Sequence, residues 1–119
     1  MGDISKHFSR HEFACKCGCG FATVDIELIE VLENLRETYQ APVKINSGCR
    51  CKKHNEAVGG EEDSKHMQGI AADIVVTGLS PAKVYQYLDQ KYKGKYGIGE
   101  YAGWVHIDVR QEQARWRKV

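Results

Sequence analysis

Ser64-Lys65-His66-Met67-Gln68-Gly69-Ile70-Ala71-Ala72-Asp73-Ile74-Val75-Val76 is the stretch on which the fold turns. Residues 70–76 are β-branched and Ala-rich, the composition of a strand buried on both faces. Asp73 sits in the middle of that run, where an ionised carboxylate without a partner is expensive. Either an Arg or Lys compensates it, with the histidines nearby being ordinary, or a metal does. His66, on the Gly-rich turn just before the strand, is then a ready second ligand.

Working outward, Ile26, Ile29, Leu32 and Leu35, with Leu28 and Val31 beside them, recur at helical spacing over residues 25–39. Thr23 or Asp25 caps that helix, and Ala41-Pro42 lies just past its end. Val43-Lys44-Ile45-Asn46 alternates and meets Ser47-Gly48, a short strand ending in a turn. Residues 51–57 read as a short helix closed by Gly59-Gly60. Ser80-Pro81 opens another helix through an N-cap and a first-turn proline, running through Val84, Tyr87 and Leu88. Residues 96–101 and 104–109 read as two strands joined at Ala102-Gly103. The order predicts an α+β fold: one small domain over residues 1–119, a mostly antiparallel sheet with helices packed on one side.

Seventeen Lys and Arg against sixteen Asp and Glu give a net charge of +1 over 119 residues, with 42% apolar residues. That balance argues against a nucleic-acid binder working by bulk electrostatics. No apolar run approaches a membrane span, and the first ten residues hold no apolar signal core. The expectation is a monomer made in the cytoplasm. The five cysteines, Cys15, Cys17, Cys19, Cys49 and Cys51, are an odd number, so a fully paired set is excluded for a monomer.

In residues 104–109, alternation places Val105, Ile107 and Val109 on the core face and Trp104, His106 and Asp108 on the other. His66, Asp73 and His106 together offer two imidazoles and a carboxylate. Such a set suits zinc and leaves the fourth tetrahedral position for water, as in catalytic sites.

At this point the chain resembles a known family. Residues 64–73 match S-x-H-x-x-G-x-A-x-D, Trp104-Val105-His106-Ile107-Asp108 supplies a later histidine, and Asn46-Ser47-Gly48-Cys49-Arg50 resembles an upstream S-G-x-R segment. Three motifs in this order look like the zinc D-alanyl-D-alanine carboxypeptidase family, whose relatives include D,D-dipeptidases, L-alanyl-D-glutamate endolysins and the hedgehog signalling domain. The likeness implies a hedgehog-like peptidase fold and zinc on His66, Asp73 and His106. It also implies that Arg50 holds a substrate carboxylate, a task suited to a planar charged fork, and that Ser64 lies near the substrate. The implied reaction is metal-assisted amide hydrolysis in peptidoglycan stem peptides, with a carboxylate taking a proton from the metal's water.

The chain departs from many relatives in having Gly103 where an acid stands three residues before the last histidine. Glu100, six residues before, matches the hedgehog branch, and Asp108 lies two residues after; Glu100 is the first expectation for the base. A two-residue turn at Ala102-Gly103 would turn Glu100 to the other face, and Asp108 is alternatively the outer partner of a histidine. Trp104 shares the face of His106 and is a candidate wall of the cleft, or else an edge aromatic.

Cys15, Cys17, Cys19 and Cys51 form a candidate second, structural metal site, with disulfides or unliganded thiols as the alternatives. Residues 110–118 hold four basic residues against Glu112, a solvated end that would also attract anionic wall polymers. The expected activity is that of a bacterial or phage peptidase acting at the cell wall. The alternatives are a non-catalytic zinc protein of the same fold, binding the wall or built into a phage tail, and an interaction module centred on the cysteines.

Overall fold

A computed structural model describes residues 4–16, 24–60 and 64–118. The periodic apolar run forms α1 (Ile26–Tyr39), opened by the Asp25 carboxylate, which accepts from the Glu27 N–H, and closed by Gln40 in the left-handed region. Leu28, Val31, Leu32 and Leu35 are buried, but Ile26 is 73% exposed. Ile26 and Leu28 are two residues apart, hence on nearly opposite sides of a helix with 3.6 residues per turn.

The remaining elements follow as β1 (Val43–Ser47), α2 (Lys52–Ala57), β2 (Ala71–Val76), α3 (Pro81–Lys91), β3 (Gly97–Tyr101), β4 (Val105–Asp108) and β5 (Ala114–Lys118). Short 3-10 turns at Arg10–Phe13 and Lys65–Gln68 complete the described elements. The strands lie in the order β1-β2-β4-β3-β5. Every pairing is antiparallel except β3 with β5.

The two faces of the sheet divide the labour. Ala72, Ile74, Ile98, Val105 and Ile107 point into an apolar core shared with Leu28, Leu32 and Leu35 of α1 and Val84 and Leu88 of α3. Burying such side chains at about 1.5–3 kcal/mol each is what fixes the register, because a one-residue slip would send every side chain to the wrong face. The opposite positions, Asp73 on β2 and His106 on β4, are therefore held in direct register across the strand pair.

The expectation of a solvated basic tail is corrected by β5. Ala114, Trp116 and Lys118 stand opposite Gly97, Gly99 and Tyr101, while Arg115 and Arg117 pair with the intervening positions of β3. Arg115 reaches Asp89 at 2.7 Å and Arg117 reaches Glu100 at 2.8 Å. With Arg110 on Asp108, three of the four basic residues are ion-paired within the fold. Read as a charge run, the segment looked solvated; its period-two alternation was the competing signal. No helix among the described residues is long and apolar enough to cross a membrane.

Candidate metal centre

His66, Asp73 and His106 each direct one ligand atom into a common space, all three atoms lying within 4.8 Å of one another. The backbone explains how residues so far apart in sequence converge. Asp73 and His106 are cross-strand partners, whose Cβ atoms are about 4.5–5.5 Å apart in such pairs. His66 arrives from the 3-10 turn, where the Ser64 hydroxyl accepts from the His66 N–H at 3.2 Å and Gly69 ends the turn at φ 71°. That left-handed conformation is cheap only for glycine.

Both imidazoles have their outer nitrogens engaged. His66 Nδ1 donates to the Gly48 carbonyl at 2.6 Å, so Nε2 carries the lone pair and faces Asp73 at 3.4 Å. His106 Nε2 meets Asp108 Oδ2 at 2.8 Å, which leaves Nδ1 toward Asp73 at 3.1 Å. This arrangement of inner ligand nitrogens and hydrogen-bonded outer ones is the one found around metal-ligating histidines. Burial alone would raise the Asp73 pKa, but His106 and His66 more than offset it and hold the carboxyl below its usual range. Burial alone would lower the His106 pKa, and hydrogen bonds with Asp108 and Asp73 raise it instead. Two buried nitrogens, each on a ring oriented by an outer partner, and one partly buried carboxylate oxygen fit a zinc ion with open coordination.

The centre lies in an open cleft of about 660 Å³, whose walls include Arg50, Ser64, Tyr101, Trp104 and Trp116. Arg50 enters beside Asp73; desolvation lowers its pKa, and the charges of Asp73, Cys15 and Tyr101 act against that. Its Nε is buried and has no hydrogen-bond partner among the described residues. Trp104, 37% exposed, stacks on Tyr101 with ring centroids 4.8 Å apart and planes 8° from parallel. The structure thus brings Arg50, Ser64 and Trp104 to the same cleft as the three candidate ligands.

It does not bring Glu100 there. A two-residue turn at Ala102-Gly103, closed by Tyr101 N–H to the Trp104 carbonyl at 3.0 Å, pairs Glu100 with Val105 on the core face. The Glu100 carboxylate is buried against Arg117. Asp108 is fully buried on the cleft side, where it binds His106 through Oδ2 and Arg110 through both oxygens. Its geometry is that of a residue orienting His106. Burial would raise the Asp108 pKa, but hydrogen bonds from His106 and Arg110 hold it below the usual carboxylate range.

Of the cysteine set, Cys15 and Cys51 lie close, with sulfurs 3.8 Å apart. Cys49 instead donates to the Phe13 carbonyl at 3.0 Å. Cys17 and Cys19 lie outside the described residues.

Trp116 and Arg110 are the site residues that sequence reasoning missed. Trp116 packs beside His106 at 5.2 Å between centroids and donates to the Tyr101 hydroxyl at 2.9 Å. The signal for both was Gly97-Ile98-Gly99, two glycines on the face that holds His106 and Asp108. A Cβ added at Gly99 would lie 2.2 Å from Trp116 Nε1. Gly99→Ala is therefore expected to displace the indole and weaken the docking of β5, costing about 1–3 kcal/mol as overpacking does. Thermal unfolding checks this, together with a blue-to-red change in tryptophan emission; an unchanged Tm and spectrum would show that Trp116 does not lie over Gly99.

Comparison with known proteins follows the same lines. A search of curated proteins and a search of solved structures each find no match to the chain. A family model described as Peptidase M15 matches residues 6–108, which takes in all three candidate ligands, Arg50 and Asp108. With that match covering most of its length, the chain belongs to the Peptidase M15 family of zinc-dependent metallopeptidases.

Proposed function

We propose that the protein hydrolyses an amide bond beside a D-amino acid in peptidoglycan stem peptides, with zinc held by His66, Asp73 and His106. The observation that carries this reading is Arg50, a cation set into the cleft beside the candidate ligand triad, with a buried Nε that has no hydrogen-bond partner among the described residues. A carboxylate-terminated peptide entering the cleft supplies an acceptor and a compensating charge, and a guanidinium binds it as a two-pronged fork. Zinc in this position supplies Lewis acidity, polarising a carbonyl and acidifying water.

The residues of the chain do the rest. Gly48 and Asp108 hold the two imidazoles in their ligating orientation. Arg50 fixes the substrate end, so the scissile bond is held at a set distance from the triad. Trp104 and Tyr101 present a flat apolar wall against which the peptide lies, and Ser64 lines the same cleft. Neither Glu100, turned to the core face, nor Asp108, engaged by His106 and Arg110, is offered as the proton acceptor. The substrate lies beyond the cytoplasmic membrane, so action at the wall requires export or phage-driven release.

The test is cleavage of synthetic stem peptides bearing a free or an amidated C-terminus, with zinc present or chelated. Zinc-dependent cleavage of the free acid is expected. Arg50→Ala should lower kcat/KM about 10- to 100-fold, the worth of about 1.5–3 kcal/mol for a hydrogen bond to a charged group, and should narrow the preference for acid over amide. Zinc bound without cleavage of any stem peptide would overturn the reading in favour of a wall-binding protein.

A further inference from the structure

Away from the His66 centre, two groups of potential ligands stand out. At His7, Glu33 and Glu37 the carboxylate oxygens of Glu33 already accept from the Ser5 hydroxyl, the His7 amide and the His7 ring. The group therefore reads as a tether for the N-terminal segment. The thiols of Cys15 and Cys51 are different. Their sulfurs stand 3.8 Å apart. A disulfide would need them at about 2.0 Å. Two thiolates on one tetrahedral zinc, each at about 2.3 Å, lie roughly 3.8 Å apart.

We infer that Cys15 and Cys51 are two ligands of a second, thiophilic metal ion that ties the segment after the Arg10–Phe13 turn to the turn carrying Arg50. Each sulfur also has a backbone N–H aimed at it. The Cys51 N–H points at Cys15 Sγ and the His54 N–H at Cys51 Sγ, each at 3.4 Å. Backbone N–H groups aimed at sulfur are outer contacts of the kind that orient metal ligands. Cys15 is 5% exposed, which suits the closed coordination of a structural rather than a catalytic metal.

The place of this pair gives the metal its role. Cys51 follows Arg50 directly, and on the other side Cys49 N–H donates to the Phe13 carbonyl at 2.9 Å. An ion shared by Cys15 and Cys51 closes the second side of that clasp and makes Arg50 part of a rigid turn. The inference stands apart from the substrate reading, since it concerns which atoms hold metal and not which bond is cut.

The test uses His66→Ala, in which the first centre is emptied, purified under reducing conditions with zinc. One equivalent of metal should remain by mass spectrometry, and Cys15→Ser or Cys51→Ser in that background should remove it. Cobalt substituted into His66→Ala should give a thiolate-to-metal charge-transfer band in the near ultraviolet, whose intensity counts the thiolates. That reading needs no cysteine variant to fold. A metal-free His66→Ala protein without the band would overturn the inference, as would a Cys15–Cys51 disulfide found by mass spectrometry in protein purified without reductant. Retained metal in a protein that cleaves no stem peptide would leave the inference standing and sink only the proposed activity.

Discussion

Asp73→Asn is expected to abolish hydrolysis and to remove one equivalent of zinc while leaving the fold in place. The carboxylate is the only anionic member of the ligand triad and lies 3.4 Å from His66 Nε2 and 3.1 Å from His106 Nδ1. Asparagine keeps the volume and can still hydrogen-bond both rings, so β2 and β4 have no reason to part. It removes the charge, and a neutral amide is not among the usual zinc ligands. Loss of an outer hydrogen-bond partner typically costs 10- to 100-fold in metal affinity; loss of a ligand should exceed about 100-fold.

Thermal melts separate this from a general loss of stability. Zinc at a hundredfold excess over Kd stabilises a native site by about 2.7 kcal/mol, on the order of 10 °C in Tm for a domain of this size. Asp73→Asn should forfeit that increment, its remaining response to zinc coming from the cysteine pair. An unchanged zinc response, or cleavage at the original rate, would mean that the metal sits elsewhere.

Much of the frame was legible in the sequence because each local signal agreed with the tertiary demand. Asp25 and Ser80 cap their helices as their residue types predict, and the alternation in residues 104–109 correctly separates the core face from the cleft face. Ile26 misled because a helical stripe read from apolar residues alone ignores which side the core lies on. The last strand escaped because its alternation is cationic. An Arg at every second position looks solvated until Asp89 and Glu100 are known to face it, and only the folded sheet brings those acids near.

The site was legible to a lesser depth. Motif order led to His66, Asp73, His106 and Arg50, which the structure brings into one cleft. The Glu100 expectation rested on counting residues back from His106, which leaves the face undetermined until the length of the turn is known. A two-residue turn puts Glu100 opposite Val105; one residue more would have put it on the other face. Trp116 and Arg110 could not be found by motif at all, since their place at the site depends on β5 pairing in parallel with β3 and on two glycines leaving room for them.

Asp108→Ala is expected to be the most destabilising single change at the site, with a cost of about 3–5 kcal/mol. Asp108 has no exposed surface and binds two cationic or cation-forming partners: Arg110 at 2.7 and 2.8 Å, and His106 at 2.8 Å. Removing Asp108 leaves the largely buried His106 and the partly exposed Arg110 without their shared carboxylate, and a penalty of that size arises when one member of a largely buried charged group is lost. His106 also loses the bond that orients its ring, so metal affinity should fall about 10- to 100-fold in addition. Asp108→Asn keeps the shape and should cost less, which separates packing from charge.

The pH dependence gives a further signature. The Asp108 pKa is depressed in the folded protein, so its charge contributes stability above the unfolded value of about 3.9, and that contribution is lost as pH falls below it. The stability difference between the original protein and Asp108→Asn, measured by denaturant unfolding of the metal-free forms, should therefore grow as pH falls through the neutral range, where His106 takes up a proton that Asp108 favours, and shrink steadily below about pH 4. A difference that persists undiminished into strong acid would show that Asp108 acts by packing alone and does not hold its partners through charge.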